Sequence, residues 1–165
     1  FVCAANWHRQ KRLKENVELF QALASPSDCL VVMGANPDFS TSDERILYTG
    51  NIPHEACLEL YTIADWFIHL AWLDHCPNVV VEALSCNCPV ICTDSGGTKE
   101  IVRSNGYVIK ETKPYKFGLV DYDDPPPLNL QGFSLPDIEV KADYLSMENV
   151  AEKYYEQFCM EQKRA

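Results

Sequence analysis

The sequence predicts an α/β domain built on an open, doubly wound parallel sheet, Rossmann-like in plan. Three observations carry that prediction. Short apolar runs alternate with amphipathic stretches from Phe1 to Ile109, the pattern of consecutive βαβ units. The chain has 165 residues, 47% hydrophobic and 23% charged, which suits one folded domain with a real core. Polar and charged groups suited to chemistry fall just after Ala5, Thr49, Trp72 and Thr93, and ligands of open α/β sheets bind beyond the carboxyl ends of the strands.

The elements follow in order. Phe1–Ala5 is a short apolar strand, and a helix from about Arg9 to Leu23 sets Leu13, Val17, Phe20 and Leu23 on one face. Leu30–Met33 is a buried strand closed by Gly34, and Asn36 to Glu44 is polar and loop-like. Ile46–Thr49 is a strand, Gly50-Asn51-Ile52-Pro53 a turn, and Cys57, Leu60, Tyr61 and Ala64 form a second helical stripe. Trp66–Ala71 is the next strand, Asn78–Cys86 a helix with Pro77 suited to its first turn, and Pro89–Thr93 a strand. Thr98 is placed to cap a short helix through Arg103, and Tyr107–Ile109 is an edge strand after the Asn105-Gly106 turn.

The chain therefore divides into a core at 1–110, a Pro-rich excursion or linker at 111–146 that includes Pro125-Pro126-Pro127, and a closing helical segment at 147–165. Val150, Tyr154, Tyr155 and Phe158 are the apolar members of that last helix.

Composition narrows the function. A net charge of −10 argues against a nucleic-acid partner, because phosphate backbones call for a basic surface. No apolar run approaches the roughly 20 residues of a membrane span. The chain opens on a strand without a signal-peptide n-region, so a segment of a longer protein is expected. Most of the eight cysteines fall within predicted strands and helices, so reduced structural thiols and a cytoplasmic setting are expected. Cys86-Asn87-Cys88 lacks the spacing of a zinc knuckle.

The stretch Leu73-Asp74-His75-Cys76-Pro77-Asn78-Val79-Val80-Val81-Glu82-Ala83-Leu84 carries most information. Between Asp74 and Asp94, Glu82 is the sole formally charged residue. A carboxylate in so apolar a run is expensive unless hydrogen-bonded, which points to a polar ligand. Glu82 could alternatively be a surface residue, and Asp74 could merely end a strand. Asp121-Tyr122-Asp123 sits away from the strand ends and is read as a solvated loop, not a metal site. His75-Cys76 lacks a third, orienting group for a thiol nucleophile.

The acidic-x7-acidic pattern of Asp74 and Glu82, the Pro77-Asn78 turn, Glu82-Ala83-Leu84 and Gly96-Gly97-Thr98 together resemble the donor-binding half of retaining glycosyltransferases with two Rossmann-like domains (the GT-B architecture, group 1, family 4). The resemblance covers about Phe1 to Ile109 and implies the C-terminal half of an enzyme transferring a hexose-type sugar from a nucleoside-diphosphate sugar to an acceptor hydroxyl. It implies catalytic roles for Asp74 at the donor sugar and Glu82 on the ribose. It implies donor contacts from Ile52, from the loop Cys76-Pro77-Asn78-Val79 at a helix N-terminus, and from Gly96 and Gly97. The family places an Arg and a Lys after the first strand to neutralise the diphosphate; Lys11 matches the Lys, Asn6 stands at the Arg position, and Arg9 or Arg12 is expected to substitute.

The same resemblance implies no metal and no cofactor, an acceptor domain outside this chain, and membrane contact at most peripheral and through that domain. The isolated chain is accordingly expected to bind donor but not to transfer sugar. Alternatives on the same architecture are a sugar-nucleotide epimerase or phosphorylase. A non-catalytic sugar-nucleotide-binding module is the alternative of a different class, favoured by Asn6 at the family's Arg position and by Asp74 where the family usually has the longer Glu.

Overall fold

The computed structural model describes residues 1–116 and 118–162. Phe117 of the Pro-rich stretch and residues 163–165 of the predicted closing segment lie outside the described residues. At its centre is a six-stranded sheet in the order β3-β2-β1-β4-β5-β6, with every pairing parallel. The strands are β1 (Val2–Ala4), β2 (Leu30–Met33), β3 (Ile46–Gly50), β4 (Phe67–His69), β5 (Val90–Thr93) and β6 (Gly106–Ile109). The chain winds outward from β1 to β3, returns to place β4 beside β1, and then winds the other way. A crevice opens where the order reverses, at the carboxyl ends of β1 and β4.

Strand residues point alternately to the two faces. Cys3, Val32, Ile68 and Ile91 pack with Leu13, Val17 and Phe20 of α1 (Leu13–Leu23). Val2, Ala4, Phe67, Val90 and Cys92 face the other side. That side is covered by α2 (His54–Ile63), α3 (Asn78–Ser85) and α4 (Thr98–Val102), through Tyr61, Val80, Ala83, Leu84 and Val102. Burial on both faces explains why β1, β4 and β5 are apolar almost throughout.

The described residues of the 111–146 stretch form a strap, which packs on both sides of the sheet. Leu128, Leu130, Phe133, Leu135 and Ile138 lie against the α1 side of the core, where Phe133 meets Tyr107 edge-on at 5.6 Å. Val140, Ala142 and Leu145 lie against the other side. Lys141 N–H donates to Asn105 Oδ1 at 2.6 Å, and the Tyr144 hydroxyl donates to the Ile101 carbonyl, fixing the strap's end at the β6 turn.

Two local expectations are corrected. The helix expected from Arg9 is a 3-10 turn, Arg9–Lys11, followed by Arg12 at φ +55° and then α1. A left-handed Arg costs about 1–2 kcal/mol, offset here because the turn drives its guanidinium into a buried set of acceptors. Thr98 does not cap α4; Gly97 holds that position, and the Thr98 hydroxyl donates to the Asp74 carbonyl at 3.4 Å. The last helix is α5 (Met147–Gln162), on which Tyr154, Tyr155 and Phe158 are exposed. Among the described residues no helix is long and apolar enough to cross a membrane.

Candidate functional site

A cleft of about 670 Å³ lies at the carboxyl ends of β1 and β2. Ala5, Asn6, Gly34 and Asn36 form one wall, and Asn51, Ile52, His54, Cys57 and Tyr61 another. Val79 and Glu82 of α3 complete it. Asn36 Nδ2 donates to Asn6 Oδ1 at 3.2 Å across the mouth. Glu82 is half-buried here, and its carboxylate makes no hydrogen bond or ion pair with another described residue. The cleft thus combines apolar walls, amide groups and one unengaged carboxylate, a suitable set for a polar ligand with vicinal hydroxyls.

Beside the cleft the loops after β1 and β4 are joined. Trp72 N–H donates to the Gln10 carbonyl at 2.8 Å, and Gln10 Nε2 donates back to the Trp72 carbonyl at 2.9 Å. This brings Lys11 Nζ to 2.5 Å from Asp74 Oδ2. His69, the last residue of β4, places Nε2 3.2 Å from the same oxygen. Burial by itself would raise the Asp74 carboxyl, but the hydrogen bonds from His69 and Lys11 outweigh it and hold the group well below the usual carboxylate range. Burial lowers His69 more than Asp74 raises it, so the imidazole is neutral at pH 7. An ionised carboxylate only accepts, so the ring carries its proton on Nε2.

The Asp74 loop is seated by the glycine turn after β5. A Cβ on Gly96, at φ +67°, would stand 2.2 Å from the Asp74 carbonyl oxygen, and one on Gly97 2.2 Å from that of His75. Gly97 N–H donates to the Asp74 carbonyl at 2.9 Å, and the buried Ser95 hydroxyl accepts from Leu73 N–H at 3.2 Å. Glycine is therefore required here by the neighbouring backbone. Pro77 is buried, Cys76 and Asn78 are exposed, and no side chain caps the N-terminus of α3. A helix N-terminus without a side-chain cap favours an anion.

The structure gathers the expected residues into two adjoining places: Ile52, Val79 and Glu82 in the cleft, and Lys11, Asp74, Cys76, Gly96 and Gly97 on its rim. The two arginines are engaged with other groups. Arg9 makes a bidentate pair with Glu15, at 2.6 and 2.9 Å. Arg12 is wholly buried against Trp72 and bonded to Glu111, Leu70 O and Pro126 O. Arg12 as a phosphate ligand is thus corrected: its guanidinium is enclosed in the fold. His69 was missed by sequence reasoning. Its signal is a lone imidazole in an apolar run, five residues before an acidic residue at the strand's end. Asp121 and Asp123 form an exposed turn, with Asp123 N–H on Asp121 Oδ1 at 3.0 Å. Among the described residues no cluster of His, Cys, Asp or Glu could hold a metal ion.

Residues 1–118 match the family described as Glycosyl transferases group 1. The chain is 32% identical over 108 residues to a putative teichuronic acid biosynthesis glycosyltransferase, TuaC of Bacillus subtilis, covering 64% of this chain and 28% of that protein. It is 27% identical over 116 residues to an N-acetyl-alpha-D-glucosaminyl L-malate synthase of Bacillus anthracis, covering 63% and 30%. The chain thus spans less than a third of these curated relatives. Among solved structures, the fold is shared with Anabaena HepE in complex with UDP-glucose, at a TM-score of 0.57 and 18% identity over 67% of this chain and 35% of that one. It is also shared with AviGT4, a glycosyltransferase involved in avilamycin A biosynthesis, at 0.59 and 21% over 100% and 52%.

Proposed function

The chain belongs to the group 1 glycosyl transferases, and from that premise we propose that it binds the donor for an enzyme moving a sugar from a nucleoside diphosphate to an acceptor hydroxyl with retention of configuration. The observation that carries this reading is Glu82, a carboxylate without a protein partner inside a cleft of apolar and amide groups at the sheet's switch point. Glu82 accepts hydrogen bonds from the two ribose hydroxyls, Ile52 and Val79 flank the nucleoside, and Asp74 meets the sugar. The diphosphate lies across the start of α3, over Cys76-Pro77-Asn78-Val79, with Lys11 beside it.

As the glycosidic bond breaks, charge grows on the diphosphate, and a fixed cation and backbone N–H groups stabilise that transition state. Counter-charge then comes from the protein, so no metal is needed, and a cytoplasmic enzyme supplied with nucleotide sugars is the setting proposed. The UDP-glucose in the HepE complex supports the ligand class. The acceptor comes from a second domain facing this cleft. Orientation in a closed cleft can supply about 7–11 kcal/mol of barrier lowering, so the chain alone binds but does not transfer.

Titrating the chain with UDP, GDP, ADP and their sugars, and following a labelled donor with the full-length protein in chelator, tests this reading. Saturable binding to the chain with chelator-resistant transfer by the full-length protein supports it. Absence of nucleotide binding overturns it.

A further inference from the structure

Two roles compete for one ammonium. Lys11 Nζ is 2.5 Å from Asp74 Oδ2, with side chains 20% and 15% exposed. The function proposed above asks Lys11 to meet a diphosphate and Asp74 to meet sugar hydroxyls, and the inference rests on that reading. Withdrawing the cation leaves a largely buried carboxylate, which is strongly unfavourable unless another donor stays with it.

His69 is that donor. Its side chain is 5% exposed and its Nε2–H bonds the same oxygen, Oδ2. The ring cannot easily turn away. It stacks on Phe67 at 6.0 Å and 16°, and Phe67 is in turn held edge-on by Tyr61 at 5.4 Å and 81°. Being neutral, the imidazole supplies a hydrogen bond without adding a second cation to compete with Lys11. We propose that Lys11 exchanges Asp74 for the donor diphosphate on binding, and that His69 is the positioning residue that keeps Asp74 in place through the exchange. In the unliganded protein Asp74 stands in for the diphosphate. Only hydrogen bonds and ion contacts change hands, and no proton moves.

Neighbouring substitutions should therefore act with opposite signs. Asp74→Asn removes the competitor, so the nucleoside diphosphate that binds best among UDP, GDP and ADP should bind roughly three- to tenfold tighter, the scale of a part-exposed ion pair. In a Lys11→Ala background the same change should have no effect on that affinity, since a coupling through Lys11 vanishes when Lys11 is absent. His69→Phe should weaken diphosphate binding by about threefold without changing binding of the parent nucleoside, and His69→Gln, which keeps an N–H near Nε2, should restore it.

Calorimetry on chains shown to be folded by their thermal transitions reads all of these. Unchanged or weaker diphosphate binding by Asp74→Asn overturns the exchange, as does a gain that persists without Lys11. Wild-type affinity in His69→Phe, or failure of His69→Gln to restore it, overturns the positioning role. A parental chain that binds no nucleotide is a different failure: it removes the functional reading and this inference with it.

Discussion

Arg12 and Glu111 meet fork to fork across 99 residues of chain, Nη1 to Oε1 at 2.7 Å and Nη2 to Oε2 at 3.0 Å, with side chains 0% and 3% exposed. The same guanidinium donates to the Leu70 carbonyl at 3.2 Å and the Pro126 carbonyl at 2.6 Å. One side chain thereby ties the loop after β1 to the end of β4, to the segment after β6 and to the proline triplet. It also fixes its chain neighbour Lys11 at the rim.

Breaking that pair should be severe. Glu111→Ala leaves a buried, uncompensated cation and should cost about 3–5 kcal/mol, whereas an Arg12→Met/Glu111→Leu double variant should cost less than either partner removed alone. Arg12→Lys cannot reproduce the fork and should fall near the single deletions. Denaturant midpoints order the four proteins. A double variant as unstable as the sum of the singles would contradict the account.

The glycine turn should be intolerant of a methyl group for a stated reason. Gly96→Ala meets the Asp74 carbonyl and a left-handed φ together, and Gly97→Ala meets the His75 carbonyl alone. Gly50, also at positive φ, has nothing within 4 Å of an added Cβ. Gly50→Ala should therefore cost only the left-handed backbone penalty of about 1–2 kcal/mol, and both Gly96→Ala and Gly97→Ala distinctly more, by thermal unfolding. Equal losses at all three positions would contradict the close approach.

Thiol reactivity should sort by burial. Burial pushes Cys88 and Cys92 up to about 12 and Cys3 well above its usual range. Burial and then the Glu82 charge raise Cys57. Cys29 and Cys76 are exposed. A disulfide-exchange reagent should label Cys29 and Cys76 in the native chain, and Cys3, Cys88 and Cys92 only after unfolding. A bound nucleoside diphosphate should slow Cys76 and leave Cys29 unchanged, as mass spectrometry of labelled peptides would reveal.

Acid should weaken the fold in two windows. His69 titrates below its ordinary value of about 6.5, so the unfolded chain binds the proton first, and stability falls as pH drops from there through the folded value. Asp74 titrates below its ordinary value of about 3.8, so its contribution is present above that pH and lost beneath it. His69→Phe should abolish the upper window and leave a lower one. Stability curves from pH 8 to 3 that coincide for parent and variant would count against a buried neutral imidazole.

Much of the fold was legible because periodicity and burial agree. Runs such as Leu30–Met33 and Pro89–Thr93 have both faces covered, and their continuous apolarity announces a parallel strand. Asp74 and the glycines stood out because they interrupt apolar sequence at strand ends, and Glu82 because it is the charged residue of an apolar helix. Arg12 did not: in sequence it continues a helical stripe, and nothing local signals that Glu111 and Pro126 will enclose it. His69 was hidden inside a strand pattern whose alternation says nothing about a hydrogen bond to the following loop. The exposed Tyr154, Tyr155 and Phe158 of α5 show the complementary limit, since amphipathic spacing announces a face without identifying what covers it.

The measurement closest to the central claim is calorimetry of Glu82→Gln against two ligands, the best-bound ribonucleoside diphosphate and its 2′,3′-dideoxy analogue. Charge-assisted hydrogen bonds of this kind are worth about 1.5–3 kcal/mol. The substitution should therefore lower ribonucleotide affinity by roughly ten- to a hundredfold and leave the dideoxy analogue unchanged. Equal affinity of parent and variant for the ribonucleotide, or equal losses for both ligands, would contradict the placement of the ribose on Glu82.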